Sequence, residues 1–139
     1  MNRLLSPNVV FGMPDVISQI AVIDDTGSLA FISGQVAWDD DGALVGIGDH
    51  AAQVAQIVSR LDALLETIGA TRADIVKETI YVVDHSPELV PVILGPLRDG
   101  VPTPPTSTYI GVQCLYSPDA LVEMEFVVSV PRNRLTASY

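Results

Sequence analysis

Two periodicities divide the chain. Over residues 49–69, Val54, Ile57, Val58, Leu61, Leu64, Leu65 and Ile68 return at intervals of three and four, while Gln53, Gln56, Arg60, Asp62 and Glu66 keep to the other side. That spacing predicts an amphipathic helix whose single apolar stripe lies on a sheet. Asp49 suits its N-cap and Gly69 the position just past its end. Elsewhere the period is two. Residues 17–23 and 29–37 are apolar and β-branched on either side of Asp24-Asp25-Thr26-Gly27, a hairpin signal. Residues 74–83 read as a strand with Val76, Ile80 and Val82 on one face and Ile75, Tyr81 and Val83 on the other, so both faces expect cover. Residues 87–98 read as a second, shorter helix with Ser86 as N-cap, Pro87 at its first position and Pro91 near its first turn. In the last strand, 121–130, Val122, Met124, Phe126, Val128 and Val130 form an apolar face, with Glu123 and Glu125 together on the other. A short strand is expected near 9–11 within an N-terminal arm, 1–14, and a polar, frayed tail over 131–139.

The stretch 102–115, PTPPTSTYIGVQCL, is a proline-rich turn followed by a strand with two chemically different faces. Alternation puts Thr108, Ile110, Val112 and Cys114 on one face and Ser107, Tyr109, Gly111 and Gln113 on the other. The first suits a core, making Cys114 an inert buried thiol. The second suits a cleft. The order of elements is strand, strand, helix, strand, helix, strand, strand.

A chain of 139 residues fits one domain, 1–139. Hydrophobic residues make up 48% and charged ones 17%, which leaves few charges to cover a monomer and points to burial between subunits. The net charge of −10 and the scatter of seven basic residues argue against nucleic acid and anionic membrane surfaces as partners. Cys114 is the only cysteine, so neither an intrachain disulfide nor a CxxC metal site is expected. Asp39-Asp40-Asp41-Gly42 lacks the ligand spacing of a calcium loop and reads as a solvated turn. The opening MNRLLSPNVVFGMPD has no long apolar segment, and no apolar run approaches a membrane span of about 20 residues. The expected location is the cytoplasm.

Glu123 and Glu125 lie two apart on a strand, about 7 Å from one another. Carboxylates sharing a low-dielectric site raise one pKa and can then move protons; the plainer reading of Glu125 is a solvent-facing or backbone-bonding side chain at a subunit contact. Ser107 would need a nearby base to act as a nucleophile, and no motif places His50 or His85 there, so Ser107 reads as a small cleft-lining residue. Tyr109 has a ring and a phenol to hold an apolar ligand, or to pack at a contact. Trp38, beside the acidic turn, reads as a staple or a rim residue.

With the strand at 102–115, the motifs FISGQV at 31–36, GATRADIVKETIYVVD at 69–84 and LVEMEFVVSV at 121–130 resemble, in order and spacing, the Rid family of reactive-intermediate deaminases, also called YjgF-like or endoribonuclease L-PSP proteins. The resemblance runs from about residue 16 to 130. It implies an α+β fold, a mixed sheet backed by two helices like chorismate mutase of the Bacillus type. It further implies a homotrimer with a central barrel and a ligand cleft at each subunit interface. By the same resemblance Glu123 matches the glutamate that places a water in the cleft, Ser33 lies near the cleft, and Gln35 is structural. Two departures stand out. Deaminating relatives carry P-x-R-[ST], where this chain reads Pro105, Thr106, Ser107, Thr108; and Ile17 precedes Ser18-Gln19 where relatives often have tyrosine. The expected function is therefore to bind or transform a small, non-carboxylate metabolite without imino-acid deamination or a cofactor. The expected site is Glu123 with Ser107, Tyr109, Ser33 and Ile17. The alternatives are an imine deaminase with Arg98 or Lys77 replacing the missing cation, and a ribonuclease or translation inhibitor.

Overall fold

The computed structural model describes residues 2–24 and 27–134. Its longest element is the helix α1, His50–Thr67, capped by Asp49, whose side chain accepts the Ala52 N–H at 3.0 Å. Val54, Ile57, Leu61 and Leu65 are its buried stripe, and Gly69 follows it with φ 74°, a conformation that suits a residue without Cβ. Gln53, assigned by its polarity to the outer side, is fully buried instead. Its amide donates to the carbonyls of Gly46 and Asp119 and accepts from the Leu121 N–H, which satisfies the group and ties α1 to the chain entering the last strand.

The strands are β1 (Asn2–Leu5), β2 (Ile20–Ile23), β3 (Ser28–Gln35), β4 (Ile75–Val83), β5 (Thr106–Val112) and β6 (Val122–Val130), with α2 (Leu89–Arg98) between β4 and β5. The main sheet runs β3-β6-β4-β5, with β6 antiparallel to both neighbours and β4 parallel to β5. Both helices cover one face. There Ile80 and Val82 of β4 and Met124, Phe126 and Val128 of β6 join the α1 stripe and Ile93, Leu94 and Leu97 of α2 in a single core. The architecture is α+β, as expected.

The opposite face is open. Leu29 and Phe31 of β3, at 50% and 76% exposure, lie there with Lys77, Thr79 and Tyr81 of β4, Glu123 and Glu125 of β6, and Ile110 of β5. The β1–β2 ribbon reaches one end of this face, where Asn2 exchanges hydrogen bonds with the Ser129 carbonyl and hydroxyl.

Several expectations change. The strands flanking Asp24 to Gly27 do form, but β2 pairs with β1 and β3 with β6, so they make no hairpin with one another; Asp25 and Thr26 lie outside the described residues. Residues 9–11 are turn and irregular chain, and the first strand is Asn2–Leu5. β4 begins one residue late because Asp74 closes a 3-10 turn, accepting from the Thr71 N–H and from Arg134. That ion pair holds 131–134 as an ordered turn, where fraying was expected; 135–139 lie outside the described residues. Helix α2 starts at Leu89 with Glu88 as cap, and Ser86 contributes its carbonyl to the Leu89 N–H rather than a side-chain cap. Pro91 then falls in the first turn, where a missing N–H costs nothing. Cys114 is exposed, because β5 ends at Val112 and alternation no longer governs its direction.

Candidate functional site

The expected site residues divide into two groups. The first gathers on the open face around a β-bulge. Ile32 pairs with Phe126 and Gln35 with Met124, so β3 spends three steps where β6 spends two, and Ser33 and Gly34 carry the excess. The Glu123 carboxylate lies over Gly34 so closely that a Cβ there would collide with Oε2. Gln35 turns back to donate to the Ser33 carbonyl at 3.0 Å. Glu123 is in register with Tyr81, and the Tyr81 hydroxyl donates to Glu125 at 2.6 Å. That hydrogen bond, with some desolvation and the nearby negative charge, raises the phenol pKa above its ordinary value. Glu125 is exposed, in keeping with the solvent-facing reading, and has Tyr81 as a side-chain partner as well.

The second group lies on the helix side of β5. Ser107 pairs with Glu78 and Tyr109 with Ile80, and both partners point into the core, so Ser107 and Tyr109 share that direction. Thr108 and Ile110 are exposed on the open face. The sorting of β5 into a core face and a cleft face is therefore reversed relative to the helices. The physical reason is that an apolar run was assigned to the protein's own core, whereas in this sheet the open face also carries apolar residues at its two edge strands, Leu29 and Phe31 of β3 and Ile110 of β5. Ile17 belongs with the second group. Ser18, next to it, donates through its N–H to Pro105 and through its hydroxyl to Pro104, which pins Ile17 beside the start of β5.

Sequence reasoning missed two partners here. His85 Nδ1 lies 3.1 Å from the Tyr109 hydroxyl, with the rings edge to face at 5.1 Å. Burial pushes the Tyr109 phenol pKa up, and which of the two groups donates follows the tautomer of the imidazole. Arg98 makes a bidentate pair with Glu78, at 2.9 and 2.5 Å, and its Nε donates to the Val16 carbonyl at 2.7 Å. Glu78 is 1% and Arg98 14% exposed, so this is a buried pair. No local motif announces either contact; the partners stand 24 and 20 residues apart. Lys77 is exposed on the open face.

A hollow of about 580 Å³ lies elsewhere, between α1 and the acidic turn, with Arg60 bonded to Asp40 beside it. None of the five expected site residues lines it. Among the described residues, no group of three or more His, Cys, Asp or Glu side chains is placed to hold a metal ion, and no helix is long and apolar enough to cross a membrane.

Comparison with known proteins agrees with this geometry. The family model described as endoribonuclease L-PSP matches residues 17–130. The crystal structure of YyfB from Yersinia pestis, described as a protein of unknown function of the conserved Rid family, is 34% identical, covers 93% of this chain and 98% of its own, and superposes with a TM-score of 0.84. YyfA of the same organism and family is 25% identical over 94% of this chain and all of its own, with a TM-score of 0.64. A RutC family protein of Pyrococcus abyssi (strain GE5 / Orsay) is 33% identical over 58 residues; this chain spans only 46% of that curated relative. With the family model covering nearly all of the sheet and both helices, the chain belongs to the Rid, or endoribonuclease L-PSP, family.

Proposed function

We propose that this protein is a homotrimer that binds or transforms a small, neutral metabolite in clefts between subunits, without hydrolysing imino acids. Glu123, near Ser33, would come from one copy and Ser107, Tyr109 and Ile17 from the next. Their division between opposite sides of one sheet supports a cleft closed by a second copy, and so does the exposed apolar face at Leu29, Phe31 and Ile110.

The observation that carries the reading is the state of Arg98. With Ser107 in place of the arginine of deaminating relatives, Arg98 is the nearest candidate to grip a substrate carboxylate, yet its guanidinium is already neutralised by Glu78 in bidentate geometry. An anionic substrate would meet Ser107, which offers one neutral hydrogen bond, and would be repelled by Glu123. The seven basic residues against seventeen acidic ones disfavour the ribonuclease alternative.

The test is ammonia release from imines generated by an amino-acid oxidase, with wild type and Ser107→Arg assayed together. The expected result is no acceleration by the wild type. Acceleration matching that of an arginine-bearing relative overturns the reading. Sedimentation is expected to give three 14.8-kDa chains per particle at micromolar concentration; one or two chains refutes the trimer.

A further inference from the structure

His85 stands where the functional reading above places a ligand, yet that reading gives it no task. It follows Asp84, which adopts φ 53°, a left-handed conformation unfavourable to a residue that carries a Cβ. Such strain persists where the surrounding structure fixes it, and it clusters at functional positions. Here the turn out of β4 brings the imidazole onto Tyr109 of β5, with the His85 Cβ at ordinary contact distance, 3.5 Å, from where a Cβ at Gly111 would lie. β5 is an edge strand, so the pair sits at the rim of the sheet, with His85 exposed and Tyr109 half-buried. Nδ1 is bonded to Tyr109; among the described residues no hydrogen bond engages Nε2.

We propose that His85 and Tyr109 form a two-membered proton relay at the ligand site, in which the charge on His85 decides whether the Tyr109 hydroxyl donates to the ring or to a bound carbonyl or imine. With the ring neutral and its proton on Nε2, Nδ1 accepts a hydrogen bond from the phenol and the hydroxyl is spent. With the ring protonated, Nδ1–H becomes the donor and the Tyr109 oxygen the acceptor. The phenolic O–H then turns outward, toward an acceptor atom on the ligand. No ligand bond is made or broken; one proton joins His85 from solvent and one hydrogen bond changes direction. Imidazole is the side chain that makes this change between pH 5 and 8. The charged and titratable groups around the ring are Asp84, before it in the turn, Glu88, at the start of α2, and Tyr109 itself. The ligand class follows: a small apolar body bearing a neutral carbonyl or imine acceptor. His85 acts through Tyr109 and is a positioning residue.

This inference rests on the reading of the cleft as a site for neutral ligands. Acetophenone and cyclohexanone serve as probes and ethylbenzene as a control without an acceptor, each titrated by ligand-observed NMR from pH 8 to pH 5. One gained hydrogen bond corresponds to up to about tenfold in affinity. Ketone binding is expected to tighten by several-fold to about tenfold as the pH falls, with ethylbenzene unchanged. Tyr109→Phe, which keeps the ring packed, and His85→Gln should both flatten the ketone profile. A flat profile in the wild type, the same slope in either variant, or no saturable ketone binding overturns the relay. Imine turnover in the ammonia assay would sink the functional reading and leave the ketone slope untouched, so the two failures are distinguishable.

Discussion

Replacing Glu78 with glutamine removes one charge from a buried pair while nearly keeping its shape. Glu78 is 1% exposed and Arg98 14%, so the carboxylate has no water to fall back on and the guanidinium only a little. Breaking such a pair from one side typically costs about 3–5 kcal/mol, because the remaining charge stays buried without compensation. Arg98 keeps its bond to the Val16 carbonyl and a little solvent, which puts Glu78→Gln near the lower end, at about 3 kcal/mol. Arg98→Met strands the more deeply buried carboxylate and belongs at the upper end, about 5 kcal/mol at pH 7. Its deficit should shrink as the pH falls, since an unpaired buried carboxyl is relieved by protonation. The double replacement Glu78→Met/Arg98→Met removes both charges and should recover most of the loss. Urea unfolding at one fixed protein concentration measures all four chains and the coupling between the two sites. At about 3–4 °C per kcal/mol, the single variants should melt roughly 10 °C or more below the wild type. Single-variant losses under about 1 kcal/mol, or a double variant as unstable as the sum, would show that the pair is not what holds α2 against β4.

Gly34→Ala should push the Glu123 carboxylate off the β3 bulge, at a stability cost of about 1 kcal/mol because only the far end of a flexible side chain must move. A crystal structure of that variant with Glu123 unmoved would refute the close packing. Of the four tyrosines, Tyr81 and Tyr109 have raised phenol pKa values, the first through its hydrogen bond to Glu125 and the second through burial. Their contribution to stability is present in full below the unfolded value near 10 and is lost as the pH rises through their folded values. Absorbance at alkaline pH should therefore show these two ionising above the ordinary tyrosine value near 10. Tyr81→Phe should bring one of the late transitions to an end.

Period and capping made α1 legible, because the stripe Val54, Ile57, Leu61, Leu65 and the cap Asp49 are local signals that the fold obeys. The alternation of β6 was equally readable, and Glu123 and Glu125 do share a face. β5 misled for a definite reason. Thr108, Ile110 and Val112 look like core positions only if apolar residues are confined to one side of a sheet, and here the edge strands carry them on the open side too. The contacts of Arg98 with Glu78 and of His85 with Tyr109 were unreadable, since each joins residues from separate elements with no fixed spacing between them. Gln53 shows the same limit in reverse: a polar residue is buried when three backbone groups from remote loops converge to satisfy it.

Because β6 lies between β3 and β4, the chain cannot complete its main sheet until the last of its four strands has been made. During synthesis β3, α1, β4, α2 and β5 all leave the ribosome before the strand that joins β3 to the rest exists. β4 and β5 can pair, but β3 has no neighbour in this sheet until residues 122–130 arrive. Closing that gap links positions far apart in sequence, as in Ser28 with Val130, so the rate-limiting contacts are long-range and folding is slow for a domain of this size. The nascent chain meanwhile exposes two strand edges and the apolar residues of both sheet faces, which makes the interval before residues 122–130 emerge its period of greatest risk of aggregation. A stop codon before Val122 leaves that state permanent: the product keeps helical segments but has no central strand on which to fold.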